Sequence, residues 1–187
     1  MGVVVRSYHQ SASLLSLLGL EEESGRSDGL SFAWKGQSYI LYNSSRAFRR
    51  IRFTVAHELG HCLLHHDGGI RGSSLLQINV CQQTQMIEQQ ANTFAADLLA
   101  PACVLWGLGV TTAEQIASCC QISLEAGRIR LARLNRLRQR DAQIQRERRH
   151  SCFLSSPLER RVFHQFLPYM VEQNANLKIW TVDLPNR

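Results

Sequence analysis

One five-residue pattern constrains this chain more than any other: His57-Glu58-Leu59-Gly60-His61, inside the stretch RFTVAHELGHCLLHHD from Arg52 to Asp67. Ala56, Leu59 and Leu63 recur there at i, i+3 and i+7, the apolar spacing of an amphipathic helix. On a helix, residues four apart lie about 40° apart around the axis and about one turn along it, so both imidazoles reach one metal ion. Glu58 is then turned to the side of that ion. A carboxylate there can hold a metal-bound water and accept its proton, as amide hydrolysis requires. The helix is expected to end near Asp67-Gly68-Gly69. Gly60 within it costs about 1 kcal/mol against alanine, which points to the close approach of another backbone.

Two histidines leave the site short, because a catalytic zinc takes three protein ligands and a water. The extension H-E-x-x-H-x-x-G-x-x-[HD] would place Asp67 last, but Leu64 stands where a glycine must let the chain turn back. A carboxylate from a later helix is the better source. TQMIEQQANTFAADLLAP has helical periodicity, with Ile87, Ala91, Phe94 and Leu98 as its core stripe and Pro101 as its stop. Glu88, 27 residues after His61, lies with Asn92, Ala95 and Leu99 on an adjoining stripe, where a carboxylate is costly to bury without a cation. Asn92 can accept a hydrogen bond from the outer ring nitrogen of a liganding histidine and fix its tautomer. His65 sits one turn beyond His61, roughly 6 Å further along, and is read as a cleft residue rather than a ligand. Cys62 is rotated away from the metal-binding face.

The segments RFTVAHELGHCLLH and EQQANTFAADLLAP together resemble the two signatures of the ImmA/IrrE family of zinc metallopeptidases, H-E-L-G-H followed by E-x-x-A-N-x-F-A-x-x-L-L-x-P. The resemblance is strong over about residues 30 to 105 and looser over 110 to 138. It implies an α+β fold: a small zincin-like domain whose short mixed or antiparallel sheet packs on the H-E-x-x-H helix and on a second, glutamate-bearing helix. It also implies Zn2+ held by His57, His61 and Glu88, with Glu58 as general base. The implied substrate is a helix-turn-helix repressor, in a phage, mobile-element or stress-response switch. A non-proteolytic regulator that uses the same scaffold to bind a repressor or DNA is the alternative.

Around this centre the chain divides into 1–105, the peptidase-like part, 106–150, a helical helix-turn-helix-like region, and 151–187, a helix from Pro157 to Met170 and a strand at 177–182. Residues Ser11 to Leu20 read as a short helix, followed by a mobile loop through EEESGRSDG. SFAWKGQSYILYN reads as a hairpin turning at Lys35-Gly36. A substrate peptide is expected to add as a strand along the sheet edge near Tyr39 to Tyr42. Tyr39, Tyr42 or a loop histidine is a candidate donor to the oxyanion.

The net charge of +6 is local, since nine arginines fall between Arg128 and Arg149. That segment reads as an amphipathic helix packed on the peptidase part. It also suits the second helix of a helix-turn-helix over Thr111 to Leu137, with Ala113, Ile116, Ala117, Ile122 and Leu131 as its core, or a basic dock for the repressor. Arg128, Arg130 and Arg133 are then the candidate contacts, with DNA less favoured than protein. Six cysteines without a C-x-x-C pair suit a reduced, cytoplasmic protein. No secretory signal and no stretch of about 18 apolar residues suggests export or a membrane span.

Overall fold

The computed structural model describes residues 2–64, 82–147 and 151–173. His65, Asp67, the glycines after it and the strand expected at 177–182 lie outside these residues.

Among the described residues three strands form one mixed sheet. β2 (Gly29–Trp34) and β3 (Gln37–Tyr42) make the expected hairpin, with Gly29 opposite Tyr42 and Trp34 opposite Gln37. Its turn places Lys35 at φ 49° and Gly36 at φ 75°, the positive angles that a two-residue hairpin connection demands. β1 (Val3–Ser7) lies parallel to β3 from Val3↔Ser38 to Ser7↔Tyr42, so the order is β1-β3-β2. β3 is therefore the central strand, and the expected peptide edge near Tyr39 to Tyr42 does not exist: its backbone is paired on both sides. A peptide can add only to an outer strand.

Alternation along the hairpin gives the sheet two faces. Phe32, Tyr39 and Leu41 face α1 (Ala12–Leu18) and form a cluster with Leu15 and Leu20. Ser31 and Ile40, which pair across the strands, face α3 (Phe48–Leu63). The segment expected to be a loop after Leu20 contains α2 (Glu21–Arg26) instead. Three glutamates in its first turn complement the helix dipole, and Glu22 pairs with Arg26 one turn on.

α3 starts at Phe48 and ends at Leu63, earlier at both ends than the span from Arg52 to the Asp67 region. Its buried side is Ala56, Gly60 and Cys62, whereas Leu63 is 52% exposed. α4 (Gln82–Leu99) runs beside it, and the contact is centred on small residues. Ala91 and Ala95 are fully buried, while Leu98, expected in the core stripe, is 49% exposed. A Cβ at Gly60 would lie 3.1 Å from Phe94 Cδ1 and 3.2 Å from Ala91 Cα. The second neighbour is backbone and cannot move aside. Gly60→Val is therefore expected to destabilise the chain by about 1–3 kcal/mol through overpacking. Thermal unfolding would show this as a fall of roughly 2–4 °C per kcal/mol.

The other described elements are helices. α5 (Ala102–Gly107), not expected from the sequence, follows Pro101, and α6 (Ala113–Cys119) starts on a capping box between Thr112 and Gln115. Gln121, at φ 53°, turns the chain into α7 (Leu124–Glu147). Ile116, Ile122 and Leu134 share one buried cluster with Ala100, Leu105, Val110 and Phe153, so the α6–α7 pair packs into a core that also draws on α5 and the 3-10 turn Cys152–Leu154. Buried Asp141 holds that turn to α7, accepting from Ser151 Oγ at 2.8 Å and Cys152 N at 2.6 Å. α8 (Pro157–Gln173) covers α5 through Met170 and Phe163. Among the described residues no helix is long and apolar enough to cross a membrane.

Candidate metal centre

Two neighbouring turns of α3 and one turn of α4 converge on a single point. His57 Nε2 and His61 Nε2 are 3.0 Å apart, Glu88 Oε2 is 3.3 Å from the first, and Glu88 Oε1 is 3.3 Å from the second. Metal bonds of about 2.0–2.1 Å in tetrahedral geometry separate the donor atoms by about 3.3 Å. The triangle therefore has the size of one face of such a site. Among the described residues this is the one group of three metal-binding side chains.

The protonation pattern favours a cation at that point. Asn92, one turn beyond Glu88 on α4, has its Oδ1 3.0 Å from His57 Nδ1. A carboxamide oxygen only accepts, so Nδ1 carries the proton and Nε2 presents its bare lone pair toward His61 and Glu88. A carboxylate and an imidazole lone pair meeting at about 3 Å repel unless a positive charge lies between them.

Glu58 stands beside the triangle and is held from the sheet. Ser31 Oγ donates to Glu58 Oε2 at 2.6 Å, a short charge-assisted bond. β2 reaches α3 this closely because residue 29 is glycine: a Cβ there would lie 2.3 Å from Thr54 Cγ2 and 3.1 Å from Glu58 Cγ. Burial raises the Glu58 pKa above the ordinary carboxylate value, Ser31 and His57 pull it down, and the charge of Glu88 adds to the rise. Ser31 had no signature in the sequence. It lies in a short strand, and its role depends on a pairing of sheet and helix that no local pattern encodes. Ser31→Ala removes a bond worth about 1 kcal/mol. The expected loss in turnover is about five- to tenfold with metal content unchanged, measured by steady-state kinetics beside metal analysis.

His57, Glu58 and Asn92 open onto a cleft of about 500 Å³, whose other walls include Gly29, Phe53 and Thr54, then Ile122 and Ser123 just before α7 and Ala126 in its first turn. At its rim Asp28 accepts hydrogen bonds from Arg46 and Arg50. Burial pushes the Asp28 carboxyl up, but these two guanidinium partners outweigh it and hold the pKa below its ordinary value. The bonds tie the start of β2 to the first turn of α3.

Other expected site residues are placed elsewhere. Tyr39 stacks on Phe32 with ring centroids 5.4 Å apart, on the sheet face turned away from Glu58, so it is no oxyanion donor. Tyr42 is on the α3 face, opposite Gly29, but is not among the residues lining the cleft. Arg130 is 4% exposed and donates to Asp97 Oδ1 and to the Ala100 carbonyl, each at 2.7 Å, so it is not available to DNA or a partner. Arg133 pairs with Asp97 at 3.6 Å and exposed Arg128 with Glu125 at 3.6 Å. α7 thus packs one side of its arginine-rich sequence inward.

No curated protein matches the chain. A family model, that of the M78 peptidases, described as the IrrE N-terminal-like domain, matches residues 16–132. This span is more than half of the chain and takes in α3, α4 and all three residues of the triangle. The chain therefore belongs to the IrrE N-terminal-like family of M78 metallopeptidases.

Proposed function

We propose that the chain is a zinc-dependent endopeptidase whose substrate is a helix-turn-helix transcriptional repressor, acting in the cytoplasm as part of a phage, mobile-element or stress-response switch. The observation that carries the catalytic part is the triangle of His57, His61 and Glu88 with Glu58 alongside it. The M78 membership supports the same reading.

A bound zinc would supply Lewis acidity toward a peptide carbonyl and a water. The chain's own residues do the rest. Asn92 fixes the His57 tautomer, so that the lone pair and not the proton faces the metal position. Ser31 holds Glu58 in one orientation, and the Glu58 carboxylate takes the proton of the attacking water and passes it to the leaving nitrogen. The peptide adds along the outer edge of β2, which within the described residues pairs only with β3 and leads at Gly29 into the cleft beside Glu58. Docking of the repressor by exposed arginines of α7 is retained only for the outward positions Arg128 and Arg133. DNA is not the favoured partner.

The test is incubation of the zinc-loaded chain with the repressor encoded beside its gene, followed by mass spectrometry. Two fragments whose masses sum to the repressor plus one water are expected. Release of intact repressor from its operator, with no fragments, would instead establish the non-proteolytic regulator.

A further inference from the structure

Outside the cleft, the most chemically loaded pair of side chains is Cys119-Cys120, at the end of α6. Both thiols are half-buried, and their Sγ atoms are 3.6 Å apart. A disulfide between them is disfavoured by the backbone. The joining peptide is trans, which fixes the Cα atoms about 3.8 Å apart. Disulfides ordinarily span about 4.4–6.8 Å. A single bridging atom meets no such obstacle. With bonds of about 2.3 Å to each sulfur, a separation of 3.6 Å encloses an angle of roughly 100° at the bridge. This angle suits a pyramidal or tetrahedral centre and excludes a linear two-coordinate ion.

The donor set narrows the choice. Among the described residues no group of three metal-binding side chains includes this pair, so a tetrahedral metal ion would lack half its protein ligands. A trivalent arsenic that carries one organic substituent brings its own third bond and needs two thiolates only. We propose that Cys119 and Cys120 form a chelating dithiol site for a monosubstituted trivalent arsenical. In the reaction two As–S bonds form, the arsenical oxygen leaves as water with the two thiol protons, and arsenic remains trivalent, so no oxidant or reductant is required. The hydrogen bond between the thiols lowers Cys119 against the effect of burial and, with burial, raises Cys120, so Cys119 is the first nucleophile and Cys120 delivers its proton as the second bond forms. The site adjoins the cleft, since Ile122 and Ser123, two and three residues after Cys120, line it.

The experiment treats the full chain with phenylarsine oxide, washes it with excess glutathione and reads intact mass, then maps the adduct by peptide digestion. One phenylarsenic group per chain is expected to survive the monothiol and to be removed by 2,3-dimercaptopropanol. It should map to the peptide holding Cys119 and Cys120, and be lost in both Cys119→Ser and Cys120→Ser but kept in Cys152→Ser. Loss of the label to glutathione in the wild-type chain, or its mapping to any other cysteine, would overturn the assignment. The mapping uses unmodified protein, so the outcome does not depend on the serine variants folding.

Discussion

Glu58→Gln is expected to retain its metal and to lose peptide hydrolysis by about two to four orders of magnitude, the usual contribution of a positioned general base. Glutamine keeps the length and one oxygen of the side chain, so the bond from Ser31 Oγ, 2.6 Å in the wild-type chain, has an acceptor still. The change removes the ability to take a proton. It also relieves the repulsion between Glu58 and Glu88, one of the causes that raises the Glu58 pKa. Metal affinity should therefore be unchanged or slightly changed, whereas kcat collapses. Cleavage persisting near the wild-type rate, measured on repressor or on a peptide spanning its cut, would remove Glu58 from the base position.

Glu88→Ala should act on the other side of the same site. It takes one corner from the triangle and leaves two imidazole nitrogens 3.0 Å apart with no carboxylate among the donors. Zinc content after dialysis is expected to fall from about one per chain to near zero, and thermal stability should stop responding to added zinc. Asn92→Ala provides the graded comparison. It leaves all three donors in place and removes only the acceptor at His57 Nδ1, so the expected loss in affinity is about 10- to 100-fold. Equal affinity for Glu88→Ala and wild type, by competition with a chromogenic chelator, would show that the third ligand lies elsewhere.

The parts of this architecture that were legible in the sequence are those encoded locally. Lys35-Gly36 marks a hairpin because its backbone angles require it, and Pro101 marks the end of α4 because it cannot donate. His57, His61, Glu88 and Asn92 were readable as positions on helices because helical spacing converts sequence distance into angle. What escaped depends on long-range pairing. The run Val3–Ser7 has no clear alternation, and only its parallel registration on β3 makes it a strand and puts β3 in the middle of the sheet. That one unforeseen strand displaced the expected peptide edge, while the alternation of the hairpin itself puts Tyr39 on the face away from Glu58. Arg130 was missed in the same way: a charge on an arginine-rich helix looks solvated until Asp97 of α4 is found beneath it.

The near-contact of Gly60 with Ala91 implies a rule for how this chain can drift in sequence. Glu88 and Asn92 flank Ala91 by three positions and one, so the distance between the helix axes at residues 60 and 91 sets how far the α4 side chains must reach to His57 and His61. A larger side chain at either position would push the helices apart and strand the carboxylate. Across descendants of this sequence the two positions are expected to remain small together. At position 60 the identity itself should be held, because a Cβ there meets the Ala91 Cα, which every residue type carries.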